Sequence, residues 1–376
     1  MKMRLLICGN GNLTRKQGQL YAHTEICHFL QECVDTNISV GYATIILDDE
    51  EEITKNLANS SFPENVIIEH FYSFFRLNVG LKFLYIPCVL LKLIKIIIKY
   101  DFFYCSYPGT ISSLIIKFSR FFHKKYALYV RGNLLNLPYV RDDINKASFI
   151  FATGITLIKE ICPNYLRCRE VAPMSAVFSK ACATAPRTDF HQPLRGLFVG
   201  RVEAPKGVYE LLDALKILKE HGIPVTMNFV GTYPMDFARK VQTMDLTDRV
   251  ILSGLTRSNE ELEKHYEEAD FFCLPTWTEG FPRVLYEAMS HALPCVTTMV
   301  GGIPSRMQDG ANCVALKVKD ADSIVAAIMS LHNDPKNMAR LSEASLTTFR
   351  YWQEFFAGQT HAKQLYAAIA KLDHNP

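Results

Sequence analysis

Short apolar runs alternate with amphipathic stretches along this chain, and the clearest cycle lies at 271–302. Residues 271–274, Phe-Phe-Cys-Leu, form a continuous apolar run of the kind expected of a buried parallel strand. Pro275 ends the run, and Pro282 suits the first helical position, where its missing N–H costs nothing. Leu285, Ala288, Met289 and Ala292 then recur at helical spacing, Pro294 blocks continuation, and 295–298 begins another strand. The stretch is a β-α-β unit whose first loop holds Glu279 and Gly280.

The same pattern predicts strands at 3–8, 40–47, 66–71, 101–106, 126–130 and 149–153, with a helix at 20–33 and a polar loop before it. A second series follows: strands at 197–201, 225–231 and 250–254, helices at 208–221 and 260–269, and helical pattern after 318. Between the two series, 167–173 approaches a linker, and 179–194 is rich in Ala, Thr, Pro and Arg without periodicity, as expected of an interdomain connection. A chain of 376 residues is long for one core, so two domains are expected.

Ligands of such sheets bind outside the carboxyl ends of the strands, where Glu279 falls. Free N–H groups at the following helix start suit an anion, and Glu279 can accept hydrogen bonds from hydroxyls. Glu287 lies about one and a half turns into the helix, within reach of a second polar group. Two carboxylates beside an anion-binding helix start suit a sugar nucleotide. Taken alone, the two acidic residues favour the plainer reading, a loop residue and a solvated helix residue.

Composition narrows the classes. Hydrophobic residues at 49% and charged residues at 21% fit a globular protein, and a net charge of +3 gives no case for a nucleic-acid partner. Eleven cysteines without C-x-x-C pairs point to a reducing compartment. The chain enters a strand within a few residues of its start, which argues against secretion and for a cytoplasmic protein. Gly9 and Gly11 give a G-x-G without the third glycine of a dinucleotide fingerprint. Arg15 and Lys16 are loop charges near a candidate phosphate, and the acidic run 48–52 reads as a solvated turn.

The apolar segment 81–100 is interrupted by Lys92, Lys95 and Lys99 at helical spacing, with Lys82 at the margin. It is too charged to span a bilayer. Two readings stay open: a core helix with a basic outer stripe, or a basic amphipathic surface resting on anionic lipid. The aromatic cluster 71–75 with Arg76, and Phe121 and Phe122 beside Arg120, Lys124 and Lys125, point toward the membrane.

The run EGFPRVLYEAM at 279–289 followed by GGIP at 301–304 resembles the E-x7-E region of glycosyltransferase family 4, retaining enzymes of the GT-B fold. Both Glu residues, Gly280, Phe281, Leu285, Ala288 and Met289 are in register with it. The resemblance covers about 190–320 closely and implies an α/β fold of two Rossmann-like domains facing a central cleft, with 352–376 returning to the first domain. Residues 1–185 would bind acceptor and 190–351 the donor. The resemblance places Glu279 by the donor sugar and Glu287 on the ribose.

Gly200-Arg201 with Lys206-Gly207 matches the family pattern whose Arg and Lys bind the donor diphosphate. Arg offers bidentate donors and Lys a point charge, so the two can stabilise the leaving diphosphate without a metal. By the same resemblance Gly231 and Gly254 line the nucleotide pocket, Gly301-Gly302 lies beneath the sugar, Gly18 approaches the donor phosphate, and Arg131 faces the cleft. Turn geometry accounts equally for the glycines, and an ordinary salt-bridged loop accounts equally for Arg131. The chain departs from the pattern at Gln19, Pro282, Ala292 and Ser305.

The expected function is retaining transfer of a hexose from a UDP- or GDP-linked donor to a glycan or lipid-linked saccharide, as in cell-surface polysaccharide assembly. No cofactor or metal is expected. Peripheral contact with an anionic membrane and cytoplasmic localisation complete the expectation. A catalytically silent nucleotide-sugar-binding protein and a Rossmann-type oxidoreductase are the alternatives.

Overall fold

The computed structural model describes residues 3–9, 13–34, 38–47, 59–71, 79–132, 138–159, 168–174, 176–179, 181–256 and 258–373. The chain divides into two compact units, Met1–Ala176 with Gly358–Pro376, and Val177–Ala357.

In the first unit the strands are β1 Arg4–Cys8, β2 Leu13–Lys16, β3 Gln19–His23, β4 Ser39–Leu47, β5 Asn59–Ser61, β6 Ile67–Phe71, β7 Phe102–Tyr107, β8 Lys125–Val130, β9 Ile150–Ala152 and β10 Cys168–Glu170. Helices α1 Thr24–Val34, α2 Val79–Lys99, α3 Thr110–Phe121, α4 Pro138–Lys146 and α5 Thr156–Lys159 connect them. The parallel core runs β10-β9-β8-β7-β1-β4, with β6 also pairing β4. Its strands are apolar on both faces: every residue of β7 is buried, because helices cover both sides of the sheet. The polar loop expected before α1 is instead the antiparallel hairpin β2–β3, with Gln17 and Gly18 at positive φ in its turn. Residues expected to approach a linker form the edge strand β10.

The second unit is simpler. Strands β11 Leu194–Val199, β12 Val225–Val230, β13 Val250–Gly254, β14 Phe271–Leu274, β15 Cys295–Thr298 and β16 Cys313–Leu316 alternate with α6 Val208–Glu220, α7 Met235–Thr243, α8 Asn259–Glu268, α9 Arg283–Ser290, α10 Ala321–Asn333 and α11 Pro335–Phe355. Every pairing is parallel, in the order β13-β12-β11-β14-β15-β16. From β11 the chain winds outward through β12 and β13, then returns to lay β14 on the other side of β11. The β11/β14 boundary is therefore a topological switch point, with the crevice at the carboxyl ends of those two strands.

Two expected boundaries shift for packing reasons. The stretch expected as a connection at 179–194 is fastened to the second unit by Arg187. Its guanidinium donates to the carbonyls of Tyr266 at 2.8 Å and Glu267 at 3.0 Å, at the end of α8, and to that of His291 at 3.1 Å. Trp352 stays in the second unit, within α11, with the Arg306 guanidinium 4.3 Å from its ring centroid. The returning element is the last helix, α12 His361–Asp373, which buries Ala362, Leu365 and Ile369 in the first unit's core. His361 anchors it, with Nδ1 donating to the Ala172 carbonyl at 2.8 Å and Nε2 accepting from Tyr104 Oη at 2.7 Å.

The basic stripe expected on α2 is only partly free. Lys92 Nζ donates to the His70 carbonyl and Lys99 pairs with Glu69 at 2.5 Å, so both cations are engaged by β6. Lys95 is exposed, as are Leu91 and Ile98, while Leu93, Ile96 and Ile97 face the core. No helix among the described residues is long and apolar enough to cross a membrane. None of the ten described cysteines forms a disulfide. Gly11, residues 48–52 and 72–76, and Asn133 lie outside the described residues, as does the side chain of Lys16.

Candidate functional site

The loops at the carboxyl edge of the second sheet are stitched together by backbone hydrogen bonds. Gly231 N–H donates to the Gly254 carbonyl at 2.7 Å, joining the ends of β12 and β13, and Gly200 N–H donates to the Val230 carbonyl at 2.9 Å. Across the switch point, Trp277 N–H donates to the Pro205 carbonyl at 2.9 Å, and the Thr276 hydroxyl reaches that carbonyl at 3.2 Å. Gly302 N–H closes the row on the Gly280 carbonyl at 2.9 Å.

The two approaches to the loop after β14 require glycine. Gly207 has φ +72°, and a Cβ there would stand 2.0 Å from the Pro275 carbonyl oxygen. A Cβ on Gly302 would meet the Gly280 carbonyl oxygen at 2.5 Å. Both close approaches let the loops after β11 and β15 lie directly against the loop after β14.

Lys206 ends a short 3-10 turn, Ala204–Lys206, and its Nζ forms an ion pair with Glu279 Oε1. Thr276 Oγ1 lies 3.4 Å from the same carboxylate oxygen. The Lys206 side chain is 25% exposed and that of Glu279 14%, so the pair is largely withdrawn from water yet accessible. A cation and a carboxylate from the two strands flanking the switch point thus meet in one place.

The other expected residues are placed as follows. Arg201, beyond β11, is open to solvent, with Glu203 Oε1 at 3.1 Å as its ion-pair partner. Glu287 is buried on α9, with Oε1 held by Arg283 Nε at 2.9 Å and Oε2 accepting from Tyr266 Oη at 2.9 Å. Burial, with the Glu287 carboxylate adjacent, pushes the Tyr266 phenol well above its usual range, so Tyr266 remains the donor. The described bonds of Glu287 run to α8 and along α9 rather than to Lys206 or Glu279. Pro282 is the N-cap of α9 instead of its first helical residue, and it supplies no side-chain acceptor there.

Phe281 is a core residue, its ring 4.5 Å from that of Tyr286 and 4.9 Å from the Arg306 guanidinium. Gly18 sits in the β2–β3 turn, where a Cβ would meet nothing within 4 Å. Arg131, after β8 in the first unit, lies 3.6 Å from Glu25 and over the Tyr129 ring.

Several participants had no place in the sequence reading. The Arg283–Glu287 pair was available from its i,i+4 spacing. Tyr266 and the stacking of Lys319 Nζ on Trp277 at 4.1 Å carry no local signal. The chain also contains a D-x-D tripeptide, Asp320-Ala321-Asp322, which the sequence reading passed over. Asp320 is occupied as the N-cap of α10, accepting from Ser323 N–H at 2.9 Å. Among the described residues no group of three His, Cys, Asp or Glu side chains is placed to hold a metal ion.

The fold is GT-B, as the comparisons with solved structures show over the whole chain. The chain superimposes on Anabaena HepE in complex with UDP at TM-score 0.64 and 15% identity, covering all of both chains. It matches sucrose-phosphate synthase of Thermosynechococcus elongatus at TM-score 0.66 and 13% identity, again over all of both. Residues 193–334 match the family model of glycosyl transferases group 1, the segment that holds Lys206, Glu279 and Glu287.

Among curated proteins, the amylovoran biosynthesis glycosyltransferase AmsK of Erwinia amylovora is 33% identical over 153 residues, 39% of this chain and 37% of that protein. Glycogen synthase of Mycobacterium tuberculosis is 30% identical over 202 residues, 52% of this chain and 46% of that protein. The match therefore spans less than half the length of either relative.

Proposed function

We propose that this protein is a retaining glycosyltransferase of family 4 that moves a hexose from a UDP- or GDP-linked donor to a hydroxyl of a glycan or lipid-linked saccharide. The setting proposed is cell-surface polysaccharide assembly at the cytoplasmic face of a membrane. The observation that carries the reading is the Lys206–Glu279 pair across the β11/β14 switch point. Support comes also from the family match over 193–334 and from the names of the relatives, several of which are polysaccharide biosynthesis glycosyltransferases.

Each group has a chemical task in this reading. When the glycosidic bond to the diphosphate breaks, negative charge grows on the leaving oxygen, and a fixed ammonium beside it lowers the barrier. Lys206 supplies that charge. Glu279 holds Lys206 in place and accepts from donor sugar hydroxyls. Arg201, on its exposed turn, exchanges Glu203 for phosphate oxygens, and its planar fork matches two of them.

Glu287 receives the ribose. Each carboxylate oxygen has a second lone pair beyond those given to Arg283 and Tyr266, so it can still accept from a hydroxyl. The two cations take the part that a divalent ion would play, so neither a metal nor a cofactor enters the proposal. Retention follows from front-face attack assisted by the leaving diphosphate, which requires no protein nucleophile.

The test is a thermal-shift screen of UDP- and GDP-sugars, followed by product analysis with the stabilising donor. A donor that raises the melting temperature and yields a glycoside of unchanged anomeric configuration is the expected result. Stabilisation by no nucleotide sugar overturns the proposal. Binding without transfer or hydrolysis establishes the silent binding protein instead.

A further inference from the structure

A hollow of about 770 Å³ opens in the first unit, lined by residues including Lys117, Arg120, Phe121, Lys124, Lys125 and Lys146. It lies at the amino edge of the sheet. Lys125 begins β8, whereas Arg131 follows the far end of that strand, about 20 Å away at the usual rise per residue. The hollow is therefore separate from the carboxyl edge, where ligands of such sheets bind.

Its charge is unbalanced. Arg120 is neutralised by Asp142 and Asp143, and Lys146 pairs with Asp142 at 3.1 Å. Lys124 and Lys125 donate only to backbone carbonyls, of Tyr100 at 3.2 Å and Leu372 at 3.4 Å, and Lys117 has no carboxylate partner among the described residues. Five cations thus line or border the hollow against Asp142 and Asp143, since Asp101, the other carboxylate near Lys124, is already paired with Arg4. An anion with several acceptor oxygens is the complementary ligand.

The rim indicates where that anion comes from. Phe121 is 77% exposed at the end of α3, its ring 5.1 Å from that of Phe122, which is also exposed. Helix α2, packed beside α3, exposes Leu91 at 60% and Ile98 at 64%. A small soluble phosphate has no use for aromatic and aliphatic side chains held in water, whereas a phospholipid offers headgroup charge and acyl chain together.

We propose that this hollow binds the phosphate headgroup of an anionic phospholipid, with Phe121 and Phe122 inserted among the acyl chains beside it. The site belongs to the unit that lacks Lys206 and Glu279, so it stands or falls independently of the sugar-transfer reading.

The experiment is co-sedimentation of the full chain with vesicles of phosphatidylcholine alone or mixed with phosphatidylglycerol, at low and physiological salt. Binding about tenfold stronger to the mixed vesicles and weakened by salt is expected. Lys117→Glu with Lys125→Glu should abolish that preference, and Phe121→Ser should weaken vesicle binding while leaving any binding of inorganic phosphate unchanged. Circular dichroism and the melting temperature establish that the variants fold, with the Lys→Gln pair replacing the Lys→Glu pair if the latter does not.

Equal binding to both vesicle types, or a folded charge variant that still prefers phosphatidylglycerol, overturns the proposal. So does wild-type vesicle binding by Phe121→Ser together with full competition by inorganic phosphate, which would assign the hollow to free phosphate.

Discussion

Lys206 and Glu279, 73 residues apart in the chain, form an ion pair between the turn after β11 and the loop after β14. A parallel sheet wound in both directions from β11 must bring the ends of those two strands together. The pair is thus a consequence of topology as much as of the two side chains.

Replacing Lys206 by Ala removes the charge proposed to stabilise the leaving diphosphate. Turnover at saturating donor should fall at least tenfold, which is about 1.4 kcal/mol of transition-state stabilisation. Because Glu279, only 14% exposed, then loses its cation, the melting temperature should fall as well, so turnover is compared well below it. Unchanged kcat would remove Lys206 from its role.

Tyr266→Phe deletes the hydroxyl that donates to Glu287 at 2.9 Å while keeping the ring in the core. A buried carboxylate losing one of its donors should hold the ribose less well. The KM for donor should rise about tenfold with kcat nearly constant. A fall in kcat at unchanged KM would place Glu287 nearer the reacting bond than proposed.

Arg187→Ala tests the anchoring of 181–193. The wild-type guanidinium serves carbonyls at the end of α8 that have no helical N–H to accept from, and its burial lowers its own pKa. Loss of those bonds should destabilise the second unit by about 2 kcal/mol in urea denaturation. A shift near zero would mean that water replaces the guanidinium without penalty.

His361 gives the first unit a pH dependence. Burial lowers its pKa to about 3, against an ordinary value near 6.5, so the folded protein holds a neutral imidazole where the unfolded chain takes up a proton. This contribution is complete above pH 6.5 and is lost progressively as pH falls from there toward 3, with a slope of up to about 1.4 kcal/mol per pH unit. The groups facing the ring are Phe29, Tyr104, Tyr129 and Phe151, with a repulsive influence from Arg131, and none of these supplies a carboxylate to hold an imidazolium. His361→Asn should flatten the stability profile between pH 5 and 6.5, read by denaturant midpoints. An unchanged slope would show that other groups govern acid unfolding.

The sequence by itself determined the strands around 197–302 and the helices there except α7, Met235–Thr243. Continuous apolar runs, bounded by Gly and Pro, specify buried parallel strands wherever both faces are covered, and β11, β12, β13, β14 and β15 all fall where those runs lie. It also determined the Glu279, Lys206 and glycine positions, since close backbone approaches such as Gly207 to Pro275 tolerate no side chain.

Tertiary structure alone decided how charges on different elements pair. Lys92 and Lys99 turned from an outer stripe to partners of β6, because a helix periodicity marks a face without saying which strand edge lies beside it. Arg187 became a clamp and Phe281 a core ring for the same reason: their partners Tyr266 and Arg306 are distant in the chain and meet them only when the sheet closes. Local spacing fixes which residues share an element, while pairing between elements depends on the topology that packs them.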